Sequence, residues 1–152
     1  MAHIALIHGI WVLVCDGRKA LLLQNQGDDV YPKLETREVL EHEDRPTHTM
    51  GSDAPGRTFG SAGGRRAAVE STDMQDEAEA KFLKSVAGKV NSGAEDGFIK
   101  HLIVVAPARA LSVLRHAFSK RAKSALKAEV DKDLVRMPVF EIEKHLKADL
   151  SR

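Results

Sequence analysis

Apolar positions are concentrated in two ordered parts of the chain, which a long polar stretch separates. In the first part, the apolar runs Ile10–Cys15 and Ala20–Gln24 predict two buried strands. Asp16-Gly17 lies between them, and such a pair can supply the positive φ of a tight turn, so we expect an antiparallel hairpin. A third strand is predicted over Lys33–Glu41, where Leu34, Thr36, Glu38 and Leu40 share one parity.

The second part begins with helical spacing. Thr72 and Gln75 fit a capping box, which predicts a helix starting near Ser71 and closing at Asn91-Ser92-Gly93. Its inward side chains are Ala78, Phe82, Val86 and Val90. After it the pattern predicts a strand over Phe98–Ala106, a helix opened by Pro107, a strand over Ser124–Val130 and a helix opened by Pro138. The apolar stripes of these two helices are Leu111, Leu114 and Phe118, and Val139, Ile142 and Leu146.

This order of elements predicts an α/β fold. A helix between two strands of one sheet implies a parallel crossover, whereas the opening hairpin is antiparallel. We therefore expect a mixed β-sheet with helices packed on it. The 152 residues suit a single domain covering residues 1–152.

The polar stretch between the two parts predicts a long Gly/Arg-rich loop over about residues 43–70. Its arginines Arg57, Arg65 and Arg66 are suited to phosphate, and its glycines allow close backbone approach. The stretch lacks the Gly-x-x-x-x-Gly-Lys-Ser/Thr pattern of a phosphate-binding P-loop. A solvated surface loop without a ligand is the alternative.

Charge is unevenly distributed along a chain whose net charge is only +1. Residues 1–97 hold 11 Lys and Arg against 16 Asp and Glu, whereas residues 98–152 hold 12 against 6. The basic excess includes Lys120, Arg121, Lys123 and Lys127. This asymmetry is compatible with a surface that meets a polyanion, or with two solvated faces that balance each other.

Hydropathy and cysteine usage point to a cytoplasmic protein. No apolar run approaches the roughly 20 residues that cross a bilayer, and no signal-type segment opens the chain, so we expect no membrane span. The single cysteine, Cys15, lies in an apolar run, where it reads as a small core residue.

No motif specifies an enzyme, a cofactor or a metal site. Asp16, Asp131 and Asp133 follow predicted strands and could hold magnesium for nuclease chemistry, but turn formation and capping explain them equally well. The seven histidines show no metal-ligand spacing.

Several segments, taken in order, resemble the bacterial host-attachment proteins, which are related to peptide-release-factor-like domains of bacteria and archaea. The resemblance spans nearly the whole chain. The matching segments are His8–Ala20, Pro55-Gly56-Arg57 with Phe59, Gly63-Gly64-Arg65, Glu79–Phe82, Leu102–Pro107, Leu114-Arg115 and Asp131–Leu134.

The resemblance implies an α/β domain similar to the release-factor middle domain, with an RNase H-like arrangement. In those factors a Gly-Gly-Gln loop positions water against peptidyl-tRNA. Here Arg65 stands where the glutamine would be, and arginine cannot accept a hydrogen bond from water, so peptide release is not implied.

The first function hypothesis is a non-catalytic RNA- or ribosome-associated module without a cofactor. Its candidate phosphate- or RNA-binding residues are Arg57, Gly63, Gly64, Arg65, Arg66, Lys120, Arg121 and Lys123. The alternative is a regulatory protein that binds protein partners and affects adhesion indirectly, and a metal-dependent nuclease is a third reading.

Overall fold

The computed structural model of the protein describes residues 6–42 and 64–150. For residues 64–73, 149 and 150 it describes the backbone only. Five strands and four helices follow one another along these residues. They are β1 (Trp11–Cys15), β2 (Lys19–Asn25), β3 (Leu34–Glu41), α1 (Gly64–Asp96), β4 (Leu102–Ala106), α2 (Ala108–Ala117), α3 (Lys120–Ala125), β5 (Leu126–Asp131) and α4 (Val139–Leu150).

The strands form one mixed sheet in the order β3-β2-β1-β4-β5. β1 pairs antiparallel with β2, with Val12 opposite Leu23, and parallel with β4, with Val12 opposite Ile103. β3 is antiparallel to β2, and β5 is parallel to β4. The prediction of an α/β fold with a mixed sheet is confirmed.

Helices cover both faces of the sheet. Alternate strand residues such as Leu13, Leu22 and Val104 pack with α1, α2 and α3 in one cluster. Their neighbours, such as Val12 and Leu23, pack with Ile142 and Leu146 of α4 in the other. The unbroken apolar run of β4 is therefore explained by burial on both sides, as predicted.

The parallel strands β1, β4 and β5 begin at one edge of the sheet and end at the opposite edge. The amino edge is where β1, β4 and β5 begin; it carries the β2–β3 connection and α3. The carboxyl edge is where these parallel strands end; it carries the β1–β2 turn and the start of α2.

The predicted bounds of α1 are wrong at both ends. The capping-box residues Ser71 to Gln75 lie inside the helix, so residues 64–70 are helical rather than part of the predicted loop. At the other end the helix continues through Gly93 to Asp96. Position 93 favours glycine because a β-carbon there would lie 2.5 Å from Cδ1 of Ile99. Gly97, at φ 91°, ends the helix: the Phe98 N–H donates to the Gly93 carbonyl and the Gly97 N–H to the Ala94 carbonyl.

The hairpin after β1 forms by a different mechanism from the one predicted. Gly17 does not adopt positive φ. Instead the Asp16 carboxylate accepts hydrogen bonds from the backbone N–H groups of Arg18 and Lys19, at 2.8 and 2.9 Å. Glycine is favoured there because the helix comes close: a β-carbon would lie 2.6 Å from Oε1 of Glu79, whose side chain would have to move aside.

The common parity predicted along β3 is also broken. The register with β2 shifts so that Leu22 faces Glu38 while Leu23 faces Thr36, which leaves Arg37 as an extra residue. As a result Leu34 packs on the α4 side of the sheet and Leu40 on the α1 side.

The C-terminal elements agree with the predictions apart from their bounds and one helix, α3, that was not predicted. Strand β4 begins at Leu102 rather than at Phe98, because Gly97 to His101 form the turn out of α1. Residues 120–125 form α3 before β5, whereas a strand was predicted from Ser124. This helix is too short to be recognised in the sequence. Its only local signals are the Ser119 hydroxyl, which accepts a hydrogen bond from the Ala122 N–H, and two buried alanines.

Candidate functional site

Helix α1 is much longer than the sheet on which it packs. Its 33 residues correspond to about 50 Å of helix axis, whereas the strands contain five to eight residues. Met74 to Glu77 are exposed, and Phe82 is the first buried residue among its described side chains. The first turns of α1, which contain Gly64, Arg65 and Arg66, therefore lie far from the packed part of the helix.

Two ion pairs fix the helix where it meets the carboxyl edge. Arg18 Nε lies 3.8 Å from Oε2 of Glu79, and Arg109 Nη2 lies 3.2 Å from Oδ2 of Asp76. The first pair joins α1 to the β1–β2 turn and the second joins it to α2. Both pairs are partly exposed, so each contributes about 0–1 kcal/mol to stability.

These residues surround a cleft of about 350 Å³ at the carboxyl edge, between the β1–β2 turn, α1 and α2. Apolar residues such as Leu83, Pro107 and Val113 line it beside the charged groups. The sequence does not indicate this cleft, because its lining comes from three separated segments that carry no shared motif.

Helix α3 and its flanks form a basic segment at the amino edge. Residues 118–127 contain four Lys and Arg and no Asp or Glu. Lys120, Arg121 and Lys123 are exposed. Arg121 lies 3.7 Å from Glu95, whereas Lys120 and Lys123 have no ion pair with a described residue.

Asn91 of α1 holds this basic segment in place. Its side-chain Nδ2 donates to the Ala117 carbonyl at 3.1 Å, and its Oδ1 accepts from the Ser119 N–H at 2.8 Å. The turn that positions Lys120 is thus tied to the packed part of α1, while Ala122 and Ala125 of α3 are buried beneath it.

Among the described residues, the predicted phosphate-binding residues fall into two sets that lie far apart along α1. Arg121 approaches Glu95 in the last turn of α1, whereas Arg65 lies in its first turn, about 45 Å away along the helix axis. Arg57 and Gly63 lie outside the described residues. Their common role in binding phosphate stays a prediction, and α1 sets the distance between the two sets.

The three acidic residues considered for magnesium do not converge. Asp16 follows β1 and Asp131 ends β5, with β4 between them, so two strand spacings place their backbones about 10 Å apart. Across residues 6–42 and 64–150, no group of three His, Cys, Asp or Glu side chains is placed to hold a metal ion. Asp16 has the turn-forming role that was the alternative explanation.

Cys15 has the environment of a core residue. Its side chain is fully buried at the end of β1. Burial, together with the charge of Asp16, raises the pKa of its thiol to about 12, so the nucleophilic thiolate is scarce at neutral pH.

The chain belongs to the bacterial archaeo-eukaryotic release factor family 12, whose family model matches residues 9–146. This match confirms the release-factor part of the resemblance seen in the sequence. The family description does not mention host attachment.

Comparison with solved structures gives a similarity to the crystal structure of the archaeal translation termination factor aRF1, with 15% sequence identity and a TM-score of 0.48. The match covers 94% of this chain and 36% of that factor, so the chain corresponds to about a third of its length. None of the curated proteins is significantly similar to this chain. In the described part of the chain, no helix has the length and hydropathy to cross a membrane.

Proposed function

We propose that the protein is a non-catalytic module that associates with RNA, and specifically with the ribosome, in the cytoplasm. The observation that carries this proposal is a chain of a release-factor-like family whose residues 118–127, around α3, contain four Lys and Arg without a single acid. Phosphate contacts of Lys and Arg supply most of the affinity of such surfaces, and they need no base recognition.

The exposed residues of α3 make the first contact in this proposal. Lys120 and Lys123 are exposed and available to a partner, since no described carboxylate pairs with them. The pair between Arg121 and Glu95 is weak, because the two side chains are 64% and 59% exposed. A phosphate can therefore replace Glu95 at little cost.

The N-terminal end of α1 makes a second, separate contact in the proposal. Its residues are Gly64, Arg65 and Arg66 at the start of the helix, together with Arg57 and Gly63 before it. A partner must present phosphates some 45 Å apart to use both contacts at once, which a ribosome does and a short oligonucleotide does not. No catalytic step is proposed, since Arg65 cannot accept a hydrogen bond from an attacking water.

Sedimentation of the full chain with purified ribosomes tests the proposal. We expect co-sedimentation at low salt. Removing the α3 contact in the K120A/R121A/K123A variant and the α1 contact in the R57A/R65A/R66A variant should each weaken it. Each lost phosphate contact should reduce the slope of log affinity against log salt by roughly 0.7–0.9.

A matched control removes three charges elsewhere. Lys81, Lys84 and Lys144 are exposed and have no ion pair with a described residue. Their triple alanine variant should retain the wild-type salt slope. If the wild type does not sediment with ribosomes or bind RNA at low salt, the proposal is wrong. If the control weakens binding as much as the α3 variant, only net charge matters and the assigned residues are wrong.

The second candidate is a regulatory protein that binds protein partners and influences adhesion to host cells indirectly. Its support is the sequence resemblance to host-attachment proteins, and the structure adds no observation specific to it. A partner that stays bound after nuclease treatment, to the wild type and to the α3 variant alike, would favour this candidate. The nuclease reading lacks a converging set of carboxylates among the described residues.

A further inference from the structure

The connection between β2 and β3 presents two large apolar side chains to solvent at the amino edge. Tyr31 is 79% exposed and Val30 is 59% exposed. Tyr31 is the single tyrosine of the sequence and the most exposed large apolar residue among those described. Neither side chain contributes to the core clusters.

The turn that carries them is held by a dense set of hydrogen bonds. The Asp28 carboxylate accepts from the N–H groups of Val30 and Tyr31, at 3.0 and 2.7 Å, and the Asp28 N–H donates to the Tyr31 carbonyl. The buried amide of Asn25 accepts from the N–H groups of Gly27 and Lys33. A side chain at Gly27 would collide with the Tyr31 carbonyl oxygen, so close packing requires glycine there.

A fixed turn changes what an exposed tyrosine can do. An ordered backbone means that little conformational entropy is lost when a partner binds. A tyrosine ring has only two side-chain torsions and a large contact area, which explains why tyrosines dominate the energy of many protein interfaces. The geometry of the turn therefore suits an anchor that inserts into a pocket of a partner.

Charge beside the ring decides what kind of partner fits. Asp28 and Asp29 precede Val30 directly, and the Asp29 carboxylate has no ion pair or hydrogen bond with a described residue. The basic neighbour Lys33 lies 3.8 Å from Glu35. Acidic groups next to the ring repel the phosphates that accompany any nucleic-acid base, and they attract Lys and Arg side chains.

We propose that the Val30–Tyr31 turn docks into an apolar pocket, rimmed by Lys or Arg, on a protein component of the surface that α3 contacts through RNA. The inference rests on the proposed ribosome association. Both elements lie at the amino edge, and three to four strand spacings separate them, about 15–20 Å. One partner surface of mixed RNA and protein can therefore meet both at once.

Photo-cross-linking identifies what the turn touches. The full chain is prepared with a benzophenone amino acid at position 31 and irradiated with purified ribosomes, and the cross-linked component is identified by mass spectrometry. We expect a peptide of a ribosomal protein that contains Lys or Arg. The same group placed at Val39, which is 50% exposed on the edge strand β3, is the positional control and should not give that peptide.

Binding variants measure how much the ring contributes. Y31A should weaken ribosome binding about tenfold or more, as expected for an anchor residue, whereas Y31F should stay within about threefold of wild type because the ring is kept. D29N should weaken binding about two- to threefold, and V39A should leave it unchanged. An unchanged urea midpoint verifies that the variants are folded.

The outcomes separate this inference from the proposed function. If the wild type does not bind ribosomes, the proposed function fails and the inference fails with it. If the wild type binds but position 31 cross-links to ribosomal RNA, or to nothing, the protein pocket is wrong while the ribosome association stands. Equal affinity of Y31A and wild type would likewise overturn the anchor role alone.

Discussion

Asn25 is the polar residue on which the amino edge depends most. Its side chain is fully buried, the only such polar residue across the part of the chain that the structure describes. Nδ2 donates to the carbonyls of Leu6 at 2.7 Å, Ile7 at 3.2 Å and Asp28 at 3.3 Å. Oδ1 accepts from the N–H groups of Gly27 and Lys33, at 2.9 and 2.8 Å. One side chain therefore joins the segment before β1 to the β2–β3 turn.

The magnitude of the Asn25→Ala effect follows from how well water can replace each bond. The Leu6 carbonyl bond is buried, and leaving such a group without a partner costs about 1–3 kcal/mol. The other four bonds are partly buried, so water recovers much of their energy and each contributes a few tenths of a kcal/mol to about 1 kcal/mol. We expect the free energy of unfolding to fall by about 3 kcal/mol, which lowers the Tm by about 6–12 °C for a chain of this size.

Urea unfolding followed by circular dichroism measures this loss for Asn25→Ala. Gln26→Ala is the control: Gln26 is a partly buried neighbour whose side chain donates one hydrogen bond, to Gln24, and we expect it to cost less than about 1 kcal/mol. A third variant, Asn25→Asp, keeps the shape but sets a carboxylate against three carbonyl oxygens. It should be less stable than Asn25→Ala at pH 7, and the difference should shrink as acid protonates the carboxylate.

A loss below about 1 kcal/mol for Asn25→Ala would refute this reasoning, because the five bonds would then contribute nothing beyond what water supplies. A result in which Asn25→Asp equals the wild type at pH 7 would refute it as well, since three donated bonds cannot survive the exchange of amide for carboxylate.

Three further predictions concern Cys15 in the core, the α2–α3 turn, and the contact between Gly17 and α1. Burial raises the pKa of Cys15 to about 12, so the native protein should not react with a thiol reagent at pH 8. In 8 M urea the reagent should react once per chain. Rapid reaction of the native protein would contradict the buried position of Cys15. Asn91→Ala should lower the free energy of unfolding by about 1–2 kcal/mol, because two hydrogen bonds to the α2–α3 turn are lost, one of them from the Ser119 N–H. Hydrogen exchange of the backbone amides of residues 118–123 should become faster. Protection equal to that of the wild type would show that packing alone holds the turn. Gly17→Ala pushes the Glu79 side chain aside and should lower the free energy of unfolding by about 1 kcal/mol or less, since that side chain is flexible. Gly17→Val should lower it clearly more. Equal stabilities of the two variants would contradict the close approach of α1 to Gly17.

Much of the fold was predictable because its apolar pattern is strong. The runs in β1, β2 and β4 contain enough β-branched and leucine residues to identify buried strands, and the stripe of α2 matches its buried side chains Leu111 and Leu114. The hairpin followed from Asp16, although its carboxylate forms the turn in place of a positive φ at Gly17.

The element bounds failed where a local signal competed with a contact from elsewhere in the chain. Gly93 indicates the end of a helix in sequence, but the helix continues to Asp96, and glycine at position 93 makes room for the side chain of Ile99. The parity of Leu34 and Leu40 indicated one face of β3, but the extra residue Arg37 sends them to opposite faces. Neither outcome can be predicted from a window of neighbouring residues.

The candidate site was predictable as composition and not as geometry. The basic character of Lys120, Arg121 and Lys123 is visible in the sequence and holds in the structure, where all three are exposed. Their separation from Arg65 is not visible, because it depends on α1 being one continuous helix of 33 residues. The cleft at the carboxyl edge and the fixed turn around Tyr31 are likewise products of segments that meet only after folding.

The amino-acid sequence alone determined the α/β fold class of this protein. Burial requires apolar side chains at regular spacing, and that spacing differs between strands and helices. The sequence also determined which segments carry positive charge, since charge is a property of each residue. Only the tertiary structure decided which charged and aromatic groups share an edge of the sheet. That arrangement depends on strand order and helix length, which contacts between distant residues set.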